Sequence, residues 1–72
     1  MIRILIADDS ELVRVVLRDL LSQDPAVEVV AEVCDGLAAV EETARLKPDL
    51  VLMDVMMPVM NGLEAVAEIM AA

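Results

Sequence analysis

Three carboxylates stand where short apolar runs stop. Asp8 and Asp9 follow Ile2-Arg3-Ile4-Leu5-Ile6-Ala7, and Asp54 follows Leu50-Val51-Leu52-Met53. Such runs read as strands covered on both faces of a parallel sheet. In open sheets of that kind, ligands gather beyond the carboxyl ends of the strands. If these two strands are neighbours, the three acids converge at one end. Two carboxylates about 4 Å apart repel by roughly 4 kcal/mol at an effective dielectric near 20, so the cluster calls for a cation or a shifted pKa. Hard oxygen donors with water completing the shell suit Mg2+. A carboxylate held beside that ion can attack a phosphoryl group, because the metal offsets charge on the transferring oxygens.

Each residue also has a plainer reading. Asp8-Asp9-Ser10 can simply begin a helix, and Asp54 can be a turn residue that ends a strand. Met53, Met56, Met57 and Met60 read as packing and loop residues rather than metal ligands. Asn61-Gly62 reads as a turn before a helix. The chain's 1 cysteine, Cys34, reads as a small apolar residue at a strand end, and it excludes both an internal disulfide and a cysteine metal site. Acids ending both apolar strands are harder to dismiss as punctuation than any one of them alone.

The elements that must position these acids can be read along the chain. Ser10 suits a helix N-cap and Glu11 its first turn. Val13, Val16, Leu17, Leu20 and Leu21 then recur at helical spacing, with Arg14, Arg18 and Asp19 off that face, until Asp24-Pro25. Val27 to Val33 alternates, with apolar residues at 27, 29, 31 and 33 and acids at 28 and 32, as a half-exposed edge strand does. Asp35-Gly36 leads into a second helix carrying Leu37, Val40, Glu41 and Ala44, closed by Lys47-Pro48. After the strand 50–53 and a loop through 55–60, Leu63, Val66, Ile69 and Met70 mark a third helix.

The order βαβαβα implies an α/β fold with a parallel sheet and right-handed crossovers, and the simplest strand order is 2-1-3. The third strand then lies at an edge without charge or proline to protect it, which invites pairing with another strand. The expectation is a truncated chain, or one that completes itself by homo-oligomerisation through that edge.

Composition narrows the function. The chain has 72 residues, 5 Lys and Arg against 14 Asp and Glu, a net charge of −9, and no aromatic residue. That charge argues against nucleic-acid binding, which needs a basic face, and against an anionic membrane surface. The apolar start is too short for a signal peptide and runs into Asp8, and no apolar run approaches a membrane span. A cytoplasmic protein is expected. A hydrophobic content of 60% with no large ring to bury is typical of small chains that hide surface against something else.

Three segments carry a family resemblance: Ile4-Leu5-Ile6-Ala7-Asp8-Asp9-Ser10, Pro48-Asp49-Leu50-Val51-Leu52-Met53-Asp54, and Met57-Pro58-Val59-Met60-Asn61-Gly62-Leu63-Glu64-Ala65. In order and spacing they resemble the receiver domain of two-component response regulators, and look most like receivers of chemotaxis methylesterases. The resemblance implies a flavodoxin-like, doubly wound parallel sheet, here incomplete, with residues 1–72 forming a partial receiver domain. It implies Asp54 as phosphoacceptor, Asp9 as direct Mg2+ ligand, Asp8 as a ligand through water, and the backbone carbonyl of Met56 as the third protein ligand. Its phosphodonor would be a sensor histidine kinase, docking beside the first helix, or a small phosphodonor.

The departures carry weight too. A complete receiver has five strands ordered 2-1-3-4-5 and about 120 residues. The family's Ser or Thr after strand four and Lys after strand five have no counterpart, and Thr43 and Lys47 lie in and at the end of the second helix. Those groups stabilise phosphoryl oxygens, so phosphotransfer is expected to be impaired. A phosphatase of the aspartate-nucleophile class also uses a strand-end Asp with Mg2+, but wants a second acid two residues on, where this chain has Met56. No enzymatic activity is expected.

Overall fold

The computed structural model describes residues 1–54 and 61–71. Its elements follow in the order β1 (Ile2–Ala7), α1 (Glu11–Leu21), β2 (Val27–Val33), α2 (Gly36–Leu46), β3 (Leu50–Met53) and α3 (Gly62–Ala71). The strands form one parallel sheet in the order β2-β1-β3, as the alternation of elements predicts. The chain moves one way from β1 to β2 and the other way from β2 to β3. Right-handed crossovers therefore place α1 on one face of the sheet and α2 on the other. β1 is central, with Ile4, Leu5, Ile6 and Ala7 all buried. β3 is an edge among the described residues, and its Leu50 is 47% exposed.

β2 departs from the expected simple alternation. Val27 and Val29 sit beside Ile2 and Ile4, whereas Ala31 and Val33 sit beside Leu5 and Ala7. The register shifts between Ile4 and Leu5, leaving Val30 as an extra residue. Side chains alternate along a strand, so one inserted residue inverts the parity of everything after it. The positions expected to share one face are thus divided between two.

The helices begin where the sequence places their caps. Ser10 Oγ accepts from the Val13 amide at 3.3 Å, and Asp35 Oδ1 accepts from the Ala38 amide at 2.7 Å. Asn61 is a third cap rather than a turn residue: its Oδ1 accepts from the Glu64 amide at 2.9 Å, and Gly62 is already helical. α2 ends at Lys47, left-handed at φ 49°, whose amide bonds to the Thr43 carbonyl at 2.9 Å. The Arg3 guanidinium, reaching over from β1, donates to the Leu46 and Lys47 carbonyls at 2.7 and 3.2 Å. These are the orphan acceptors that any helix C-terminus leaves.

Burial differs from the helical patterns in an instructive way. In α2 the core residue is Ala39, packed with Leu5 and Ala7 and flanked by Ala31, Val33, Val51 and Met53, while Leu37 and Ala44 are exposed. α3 packs against α2. It buries Gly62 and Ala65, and leaves Leu63, Val66 and Met70 outside. Small residues allow helices and sheet to approach closely, which turns the larger neighbours outward. In α1 no residue is fully buried. Val13, Val16 and Leu20 remain exposed, and Arg14, Val15, Leu17 and Leu21 are half-buried. An ion pair at 3.2 Å from Arg18 to Glu32 ties α1 to β2. No other described helix lies on that face, so the apolar stripe is wider than the surface it can cover.

Candidate metal centre

The sheet itself carries two of the three acids to one place. The Asp8 amide donates to the Val33 carbonyl at 3.1 Å, which extends the β1–β2 ladder one residue beyond β1. The Asp54 amide donates to the Ala7 carbonyl at 2.8 Å, which does the same for β3. Ala7 pairs with Met53, so Asp8 and Asp54 leave adjacent strands at the same level. Asp9 follows, exposed and beyond both ladders.

The chain then folds back sharply into α1. The Ser10 amide donates to Asp8 Oδ1 at 2.9 Å, and Ser10 caps the helix with its own hydroxyl. The plain reading of Asp8-Asp9-Ser10 as a helix start is therefore correct locally, and it coexists with the acidic cluster rather than replacing it. One carboxylate oxygen each from Asp8, Asp9 and Asp54 lie within 4.8 Å of one another. A cavity of about 270 Å3 beside them is lined by Ala7, Asp8, Leu17, Leu52, Met53 and Asp54.

The donor set fits a small hard cation. Mg2+ takes oxygen ligands at about 2.1 Å in an octahedron, so ligand oxygens sit roughly 3 to 4.2 Å apart, with bound water filling positions the protein does not reach. An oxygen triangle no wider than 4.8 Å meets that requirement with one contact made through water. Met56, whose carbonyl is the remaining expected ligand, lies outside the described residues, as does Met57-Pro58.

Thr43 and Lys47 are elsewhere, as expected. They line a second, apolar cavity of about 420 Å3 with Val40, Ala44 and Ile69, between α2 and α3. Cys34 is exposed just after β2 and has no place among the acids. One polar residue beside the site, which the helical spacing places off the apolar face of α1, bonds to the acidic loop. Arg14 Nη1 donates to the Asp8 carbonyl at 2.5 Å. Helical side chains lean toward the N-terminus, so a long residue in the second turn reaches back over the loop that precedes the helix. That rule, with the position of Arg14 four residues after the cap, was the available signal.

Among the described residues no helix is long and apolar enough to cross a membrane.

Residues 4–72 match the response regulator receiver domain family. Protein-glutamate methylesterase/protein-glutamine glutaminase 5 of Geobacter metallireducens is 47% identical over 70 residues, covering 97% of this chain and 20% of that protein. Number 4 of the same organism is 53% identical over 70 residues, with the same coverage. The chain thus spans about a fifth of the length of these relatives. Among solved structures, the response regulator domain of Thermotoga maritima CheB superposes with a TM-score of 0.97 at 46% identity, over 99% of this chain and 53% of that one. A chain of the CheX–CheY–BeF3–Mg2+ complex of Borrelia burgdorferi gives 0.90 at 26% identity, over 97% of this chain and 53% of that one. The β2-β1-β3 sheet with its helices is the flavodoxin-like arrangement expected. The chain belongs to the response regulator receiver domain family.

Proposed function

We propose that this chain is a phospho-accepting receiver module in which Asp54 takes a phosphoryl group with the help of Mg2+. The observation that carries this reading is the convergence of Asp8, Asp9 and Asp54 within 4.8 Å at the carboxyl ends of adjacent strands. A similar receiver has been crystallised with Mg2+ and with BeF3, which has the shape of a phosphoryl group. Asp9, Asp54 and Asp8 would hold the ion, Asp8 through water, together with the Met56 carbonyl. When bound, Mg2+ supplies positive charge against the oxygens of the group in transit.

The chain's own residues do the rest. An Asp54 carboxylate oxygen attacks phosphorus as the bond to the donor's leaving group breaks, giving an acyl phosphate on Asp54. With acetyl phosphate the leaving group is acetate, and with a sensor histidine kinase it is the histidine imidazole. Thr43 and Lys47 line another cavity, so neither takes the roles the family gives to its Ser or Thr and its Lys. Transfer by the 72 residues alone is therefore slower than in a receiver that has both. The chain is a substrate for phosphorylation and not an enzyme. The methylesterase and glutaminase activities named for its relatives belong to parts of those proteins that it does not match. Cytoplasmic chemotaxis signalling is the setting this assigns.

Intact mass after incubation with Mg2+ and acetyl phosphate tests the reading. One added phosphoryl group, absent in Asp54→Asn, is the expected result. A folded chain that takes up none would sink it.

A second reading rests on the edge of β3, where Leu50 is exposed, and on the apolar side chains that α1 leaves bare, Leu12 and Val16 among them. An unprotected apolar edge pairs readily with another strand. In this reading the 7.8 kDa chain is stable only as a homo-oligomer joined through β3. Sedimentation equilibrium decides it, since a folded monomer at micromolar concentration removes the need for a partner.

A further inference from the structure

Asp8 and Asp54 are placed by the sheet, but Asp9 is not. The Asp8 amide is held by Val33, one oxygen of the Asp8 carboxylate by the Ser10 amide, and the Asp54 amide by Ala7. Asp9 lies beyond the ladders and is exposed, so its direction depends on the peptide group that joins it to Asp8. That peptide is planar, and fixing its carbonyl fixes the plane from which the next Cα departs. Among the described residues, the side chain that holds the Asp8 carbonyl is Arg14, at 2.5 Å in a half-buried contact.

We infer that Arg14 is a positioning residue for the metal centre, acting through the peptide between Asp8 and Asp9. The inference rests on the proposed Mg2+ site and deepens it. Arg14 bonds to the backbone carbonyl of Asp8 and would act on the ion only through that peptide. It stands behind the ligands, where an outer partner orients the residues that do the binding. A guanidinium suits the task because a charge-assisted bond to a carbonyl is short and directional. Its charge also sits behind a loop that carries two acids, and so favours their approach to each other before a cation arrives.

The test is a Mg2+ titration followed by amide and carbonyl NMR, without any phosphodonor, on the unmodified chain, Arg14→Met and Arg14→Lys. Methionine keeps the apolar stem and removes every donor. Lysine keeps a charge and a donor. Arg14→Met is expected to move the metal-free Asp8 carbonyl resonance and to weaken Mg2+ binding about 10-fold. Arg14→Lys should restore part of both. A residue that merely steadied α1 would lower the melting midpoint and leave the affinity of the folded protein unchanged. Affinity within about twofold of the unmodified chain in Arg14→Met overturns the inference and leaves the acceptor reading standing. If Arg14→Met does not fold, Arg14→Gln, uncharged and too short to hold the carbonyl as the guanidinium does, takes its place, and affinity within about twofold of the unmodified chain overturns the inference. An unmodified chain that is folded and binds no Mg2+ removes the metal site and this role together, a result visible in its own titration.

Discussion

The two faces of the sheet are built from opposite kinds of residue. On the α2 face the contacts are small: Ala39, Ala65, Gly36 and Gly62 are buried, and Leu5 is the one large side chain in the central cluster. On the α1 face the candidates are large and well patterned, yet Val13, Val16 and Leu20 are 40, 47 and 60% exposed. Periodicity alone ranks the second face as the better core. Packing divides the second face instead: Ile4 and Ile6 of β1 are buried there, while the outer part of the α1 stripe stays bare, because an apolar side chain stabilises the fold only where another surface lies against it, whereas alanine and glycine at a close crossing bring whole backbones into contact.

The contrast can be broken at either end. Leu5→Ala should be the most damaging change, at about 2–5 kcal/mol, because it opens a cavity between the sheet and α2 where little can collapse to fill it. In a chain this small that is enough to abolish the folded state, as loss of the helical circular dichroism would show. A folded Leu5→Ala protein would mean that the α2 face is not where the stability lies.

Leu52→Lys addresses the third apolar region, the outer edge of β3. Leu52 is half-buried beside Ile6, and an ammonium there opposes strand addition. If the chain assembles through β3, the variant should sediment at the monomer mass. An unchanged oligomer would move the contact elsewhere, with the bare α1 stripe the next surface to examine. Val16→Ser should be the mildest of the three, within about 0.5 kcal/mol by urea titration, as for an exposed position that touches little. A loss several times larger would show that the α1 face is covered in solution, and would turn the comparison between the two faces on its head.

Much of this architecture was legible beforehand. Apolar runs of four to six residues alternating with helical periods led directly to a parallel βαβαβα chain and to the order β2-β1-β3. Ser10 was readable as a cap because a side-chain oxygen at that position satisfies an orphan amide of the first turn. Asn61 reads from sequence as a turn residue, since Asn-Gly is a turn signal as readily as a cap followed by the first helical residue. The bulge at Val30 left no such mark, because Val29-Val30 reads equally well with either residue inward.

The acidic site divides along the same line. That Asp8, Asp9 and Asp54 would share one end of the sheet follows from sequence alone, because parallel strands all present their carboxyl ends on the same side. The approach of the three carboxylates to within 4.8 Å of one another, the Asp8 carbonyl held by Arg14, and the inward turn of Ala39 and Ala65 were decided only by the folded structure. Local chemistry sets where a strand or helix begins and stops, since caps and breakers act within a few residues. Which side of a helix is covered, and where a long side chain finds its partner, depends on surfaces that meet only after the chain has crossed over itself.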